Sequence, residues 1–452
     1  MSTINGYPET FSVFCGDPVT IRVARKAVTG WKGWRATHFP PPVTRIEIRD
    51  AVRNTIVTVR KPSPRPKLTQ QSPVSYRDEG AGYALPLEID TTALPAGIYE
   101  CIVHDSMGDA SQDIYFNLKP RSLAGYDLVC VLPSFTWQAY NRLSGGSFYS
   151  ASLGPQRMIS TQRPLHAKGD NSIAAAIPFL TAFTADGVRS ACVDSADLHD
   201  ARLPLGSVPV MAILTHDEYW SVPMRTVVDR FVRDGGGLLV LAGNTCWWQI
   251  TVDGHNLSVD KSPSKNGQLW YRRGKPGETT FVSSYRFGGY SVDRAQEKAW
   301  LVKRVAGLSP AAMRALGSLR IVAPEHPVFS GVTLEDGNRF GGDIPVVYRE
   351  VDAVPITPDG QPDTKLYRTP DVTPHILATG HVVNNRAGPY EAGVVVEADV
   401  GAGHVLNMGS FGWSRGLRQN NEEVKRIVLN AYRHCRAWAD KKNQTGEQHD
   451  RL

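Results

Sequence analysis

A chain of 452 residues has room for two or three domains. Its 41% hydrophobic and 21% charged content is ordinary for a globular protein. No stretch approaches the roughly 18 unbroken apolar residues of a membrane span. The net charge of +6 is spread along the chain, which argues against the basic, aromatic-lined face that nucleic acid requires.

The N-terminus, MSTINGYPET, has no basic segment followed by an apolar core, so cytoplasmic residence is expected. The six cysteines form no C-x-x-C pair. Buried free thiols are expected, and a cysteine-rich zinc site is not.

Residues 1–120 read as all-β. Short β-branched and aromatic segments at 19–23, 45–48, 56–59, 83–89, 97–104 and 114–118 are separated by Pro, Gly and Asp. That rhythm predicts an immunoglobulin-like β-sandwich. The Pro-rich stretch 61–74 predicts a long loop.

From Tyr126 the pattern changes to α/β, over 124–440. An apolar run at 127–132 leads into PSFTWQAYN, and 147–169 is loop-like. A helix is predicted over 172–186 and a strand over 188–193. Strands at 208–214 and 238–242 flank a helix capped by Ser221. Alternating strands and helices predict a mostly parallel sheet covered on both faces. The segment 250–310 reads as irregular, with a helix at 295–305. Strands follow at 345–354, 393–397 and 405–408, then a final helix at 422–438. A disordered polar tail is expected over 441–452.

Two strand ends carry polar and aromatic clusters: His216, Asp217 and Glu218 in LTHDEYW, and Asn244, Thr245 and Cys246 in AGNTCWWQ. Loops after the carboxyl ends of parallel strands are where α/β folds place ligands. His216 and the two carboxylates suit metal ligation or acid–base work. They also suit the N-terminal turn of a helix, where acids meet the positive end of the dipole. Asn244 can donate to an oxyanion, and Thr245 or Cys246 can be a nucleophile. GNTCWWQ resembles the G-x-C-x-G-x-Q elbow of class I glutamine amidotransferases, with Thr245 at the nucleophile position and Trp247 where the strained turn needs a small residue. Read alone, Tyr99 and Tyr140 are packing residues, and Glu350 is a surface carboxylate on a strand.

Together, YDLVCVLPSFTWQAYN, LTHDEYW, GGGLLVLAGNTCWWQ, YREVD and GAGHVLNMGSFGWSRGL, preceded by AGIYECIV, resemble the large (beta) subunit of N,N-dimethylformamidase and its relatives. The resemblance implies a glutamine-amidotransferase-like domain that hydrolyses a small amide with one iron ion, as Fe(III). By motif, Tyr99, Tyr140 and Glu218 would be its ligands. His216 and Asn244 would line the site, and Glu350 would be a carboxylate near the substrate. Phenolates and a carboxylate suit a hard ferric ion. Tyr99 would then bring the β domain to the site, at the domain junction.

The sequence also departs from the family. The family's large subunit is longer and carries an inserted β domain without counterpart here, and its G-Y-E-x-D piece reads YREVD. The resemblance further implies a small helical partner subunit, and a homo-oligomer is expected. Two other readings stand beside this one: a non-catalytic binding protein on an amidotransferase-like fold, and a metal-free hydrolase using Cys246.

Overall fold

A computed structural model describes residues 4–25, 40–68, 80–143, 146–150, 154, 156–203, 205–262, 267–291, 309, 317–369, 371–383 and 389–449. The helix expected at 295–305, residues 69–74 of the predicted loop and residues 450–452 of the tail lie outside these.

The N-terminal part forms two sheets. One holds Ile4–Pro8, Val19–Arg25 and Leu85–Ile89. The other holds Ser12–Phe14, Tyr115–Lys119, Gly97–Asp105, Val43–Asp50 and Thr55–Arg60. Alternate residues of the strands, such as Val19, Ile21 and Val23 or Ile46 and Ile48, point into a shared core with Cys101, Val103 and Phe116.

The remainder is mixed α/β, organised on an eleven-stranded sheet. Five strands run parallel, in the spatial order Ser190–Asp194, Leu128–Leu132, Val210–His216, Gly237–Gly243 and Gly403–Asn407. LVCVL and VMAILTH are buried throughout, as strands covered on both faces must be. Leu128, Cys130 and Leu132 join one core layer, while Val129 and Val131 join the opposite one. Beyond Gly403–Asn407 the sheet continues with antiparallel neighbours: Pro389–Val400, His375–Val383, Ser284–Tyr290 and Glu350–Ala353.

The β part docks on the Ser190–Asp194 edge through buried polar contacts. Asn117 Nδ2 donates to the Cys192 carbonyl at 2.8 Å, and Ser12 Oγ donates to Asp197 at 2.6 Å. Lys119 forms a buried ion pair with the same Asp197.

Three differences from the sequence reading have local causes. Segment 147–169 contains a strand, Gln156–Ser160. Segment 250–310 contains Asn256–Asp260 and Ser284–Tyr290, and Trp248–Asp253 runs into it. Gln156–Ser160, Asn256–Asp260, Trp248–Asp253 and Tyr219–Ser221 form a separate four-stranded sheet. Its hairpin turns at Gly254-His255, where Gly254 has a φ of +55°, as a two-residue turn requires of its first residue. The last helix, Glu422–His449, passes Trp438 and carries the polar segment from 441 onward as far as His449. Once a helix is nucleated, each added residue gains a backbone hydrogen bond, so charged helix formers extend it.

No helix among the described residues is long and apolar enough to cross a membrane.

Candidate active site

The parallel strands follow the chain order second, first, third, fourth across the sheet. The connections therefore diverge between Leu128–Leu132 and Val210–His216, and a crevice opens at the carboxyl ends of such a pair. Both strands end there in motif residues.

After Leu132, Pro133 leads into a short helix, Ser134–Tyr140. Thr136 and Tyr140 lie four residues apart and so share one face. Thr136 Oγ accepts from the backbone N–H groups of Glu218 (3.1 Å) and Tyr219 (3.2 Å). The Tyr140 hydroxyl donates to Glu218 Oε2 at 2.6 Å. A single helical face thus holds both the backbone and the side chain of Glu218.

AGNTCWWQ grips the same segment from the other side. The Cys246 N–H donates to the Asp217 carbonyl, and the Trp247 and Trp248 N–H groups donate to the Glu218 carbonyl, at 2.9, 3.0 and 2.9 Å. Backbone strain concentrates here. Thr215, Asn244, Cys246 and Arg349 have φ values of +66°, +54°, +54° and +57°, in a region that L-residues adopt only when their surroundings hold them. Gly243 is required by contact: a Cβ there would lie 2.1 Å from the Glu350 carbonyl oxygen. That close approach aligns Asn244, whose Nδ2 donates to Glu350 Oε2 at 2.8 Å.

Five of the six residues that the resemblance assigns to the site therefore meet: Tyr140, His216, Glu218, Asn244 and Glu350. His216, Glu218 and Glu350 each present an atom within 4.8 Å of the others. His216 ends its strand, and the following helix begins only at Val222, so these acids are not a helix N-terminal box.

Tyr99 stands apart. It is buried in the β core, stacked on Phe116, and its hydroxyl donates to the Pro95 carbonyl at 2.8 Å. A tyrosine bonding back to backbone a few residues upstream, two residues before a core Cys, is a corner device of β-sandwiches. LPAGIYEC carries that signature, which accounts for Tyr99 without a metal.

The tyrosine that joins Tyr140 is Tyr149. Its hydroxyl oxygen lies 2.8 Å from that of Tyr140, and 3.1 and 3.0 Å from the two Glu218 oxygens. Tyr219 donates to it at 2.8 Å, and Lys261 bonds to Tyr219 while lying 3.8 Å from the Tyr149 ring centroid. Sequence reasoning passed over Tyr149, Tyr219 and Lys261. A loop tyrosine nine residues after TWQAYN was the available signal, since functional side chains concentrate on loops at strand ends.

The site is crowded with groups that can become anionic. Burial, then the neighbouring Glu218, pushes the Tyr140 phenol well above its ordinary value. Burial raises the Glu218 carboxyl, with Lys261 and His216 opposing. Burial lowers the Lys261 ammonium to about 8. For His216 burial works downward, but contact with Glu350 and the nearby Glu218 and Asp217 outweigh it and raise the imidazole.

Several buried polar atoms of these motifs are left over, His216 Nε2 and Asn244 Oδ1 among them. His216 Nδ1 faces Asn171 Oδ1 at 2.7 Å, so Nδ1 carries a proton, and the carboxylates that raise the imidazole favour a second one on Nε2. Nε2 lies 3.0 Å from Glu350 Oε2 and 3.6 Å from Glu218 Oε2, yet it has no aligned hydrogen bond, and neither has Asn244 Oδ1. Two carboxylates converging on one point suit a cation. Two phenols and a carboxylate form a hard, oxygen-rich donor set.

Cys246 does not fit a nucleophile's role. It is buried, its Sγ accepts from Arg225 Nη1 at 3.4 Å, and burial pushes the thiol up to about 12 despite that guanidinium. A reactive cysteine needs the opposite shift.

A family model described as "N,N-dimethylformamidase beta subunit-like, C-terminal" matches residues 43–425. No match was found among curated proteins. Among solved structures, the exo-beta-1,4-mannosidase Op5Man5 from Opitutaceae bacterium strain TAV5 is similar over 68% of this chain, at 12% identity and a TM-score of 0.26. The chain spans 35% of that protein's length, and a likeness this low carries no argument.

Proposed function

Because the chain belongs to the N,N-dimethylformamidase beta subunit-like family, we propose that it is an iron-dependent amidohydrolase acting on a small linear amide. The observation that carries this reading is the convergence of Tyr140 and Tyr149 on the Glu218 carboxylate at 2.6–3.1 Å, beside the orphaned His216 Nε2. Tyr140, Tyr149 and Glu218 would hold the ion. Tyr149 takes the place that the motif resemblance gives to Tyr99. Both phenols must lose a proton to become ligands, and each has a free pKa of about 10, so metal loading and phenol ionisation are coupled.

When bound, the ion would supply a Lewis acid that polarises the amide carbonyl and makes water more acidic. The chain's own groups do the rest. Glu350, tethered by Asn244 and His216, is placed to take the proton from an attacking water and pass it to the departing amine. His216, protonated on Nδ1 toward Asn171 and raised by Glu350, can donate from Nε2 to oxygen charge that develops on the carbonyl. Asn244 holds Glu350 through Nδ2.

The finer architecture follows the same reading. The N-terminal sheets are taken as an immunoglobulin-like domain over 1–120 and the rest as an amidotransferase-like domain over 124–440. A small partner subunit agrees with the "beta subunit-like" description, and cytoplasmic residence is retained.

Metal analysis of the purified protein with a visible spectrum tests the proposal. About one iron per chain and a phenolate-to-iron band are expected. Colourless protein with stoichiometric zinc would sink it. Iron-loaded protein that hydrolyses no small amide would favour a binding role instead.

A further inference from the structure

A second cluster of ionisable side chains lies away from the active site, where the C-terminal helix crosses the sheet. Its centre is Glu397, on Pro389–Val400. His375 is directly opposite it in the antiparallel pairing, and Asp399, two residues on, is opposite His404. Residues two apart on a strand share a face, so all four side chains stand on one side of the sheet. The helix Glu422–His449 adds His434, and the turn before Pro327–Phe329 adds His326.

Four imidazoles surround the one carboxylate. His434 Nε2 lies 2.8 Å and His404 Nε2 3.3 Å from Glu397 Oε2, while His375 Nδ1 lies 3.1 Å and His326 Nε2 3.4 Å from Oε1. Ligand atoms of His326, Glu397 and His434 lie within 4.8 Å of one another.

His404 marks where the cluster calls for a cation. Its Nδ1 faces Asp399 Oδ1 at 2.9 Å, and contact with Glu397 and Asp399 outweighs burial and raises the imidazole. That Nε2 is buried, points at the Glu397 carboxylate and has no hydrogen-bond partner. An imidazole held between two carboxylates calls for a cation at Nε2, either a second proton or a metal ion. A carboxylate holding the far nitrogen of a histidine is the usual outer arrangement around a metal ligand. A metal would replace the direct contacts of His434 and His375 with Glu397, at 2.8 and 3.1 Å, and the long 3.4 Å bond that His326 Nδ1 accepts from the Val328 N–H. His375, 61% exposed at its side chain, leaves the cluster accessible from solvent.

We infer that His326, Glu397 and His434, with His404 alongside, form a zinc-class divalent metal site that clamps the C-terminal helix to the sheet. Imidazole nitrogens and a carboxylate oxygen are donors that zinc accepts. The phenolate-rich active site is harder and would select a different ion.

The test uses the full chain carrying Glu218→Ala, which disables the first site, stripped with chelator and titrated with Co2+ as a spectroscopic probe. One Co2+ per chain with visible ligand-field bands is expected, and Zn2+ should displace it and raise Tm. Adding His434→Gln or, separately, His404→Gln should weaken Co2+ binding by about 10- to 100-fold or more and abolish the Zn2+ effect on Tm. Circular dichroism confirms that each variant is folded, and His326→Gln serves if either of the others is not. Absence of cobalt bands, or bands indifferent to all three histidine variants, overturns the inference. So does a Tm that responds to pH but not to Zn2+, which would mark the cluster as held by protons alone.

Discussion

The Tyr140 hydroxyl and the Glu218 carboxylate meet at 2.6 Å although 78 residues separate them in the chain. That hydrogen bond joins the helix after one parallel strand to the loop after its neighbour. It therefore depends on the packing of the helix as much as on either side chain. Thr136, one turn earlier, fixes the backbone on which Glu218 stands.

Tyr149 and Tyr99 give opposite expectations. Tyr149→Phe removes a hydroxyl 3.0 Å from Glu218 and should lower iron occupancy and weaken the visible band. Tyr99→Phe removes only the bond to the Pro95 carbonyl, so iron and colour should persist while stability falls by about 1 kcal/mol. Iron content and denaturant melts of both variants check this. Loss of iron on Tyr99→Phe would restore Tyr99 to the metal.

The two glutamates separate binding from proton transfer. Glu218→Ala should lose iron and colour together. Glu350→Gln keeps its shape and can still meet Asn244, but it cannot accept a proton. Iron should remain while amide hydrolysis drops, by the ~100- to 10,000-fold typical of a general acid–base group. Hydrolysis at the parent rate would remove Glu350 from the mechanism. Loss of iron would move it into the coordination sphere.

Cys246→Ser should retain most amide hydrolysis, because the thiol is buried against Arg225 and held protonated with a pKa of about 12. Thiol alkylation without loss of turnover would agree. Abolished turnover in folded, iron-loaded Cys246→Ser would return the nucleophile reading.

Asp194 links stability to pH at the junction of the β and α/β parts. Burial first, then the charge of Asp197, raises its carboxyl to about 8, against about 3.9 in an unfolded chain. Between these values the folded state holds a proton that the unfolded state has released. Its contribution to stability is therefore full below pH about 4 and declines as pH rises toward 8. Asp194→Asn keeps an oxygen able to cap the helix Ser195–His199 but cannot titrate. Its urea midpoint should fall less than the parent's over that interval. Identical slopes for the two proteins would refute the assignment.

Much of this was legible in the chain because it is local. The runs LVCVL and VMAILTH have to be covered on both faces, and the polar clusters that follow them mark the sheet's ligand-binding end. Tyr140, His216, Glu218, Asn244 and Glu350 could be picked out because each sits at a strand terminus, or in the loop or short helix that follows one, inside a recognisable motif. Motif order also suggested Tyr99, but it could not say which hydroxyl reaches Glu218. That choice depends on how a loop folds back over the sheet, and it falls to Tyr149, while Tyr99 turns inward to cap its own corner. The same holds for Glu397 and its four histidines. They come from three strands or strand ends, a turn and a helix, with no spacing pattern to unite them, because strand pairing and helix docking bring together side chains that the sequence keeps far apart.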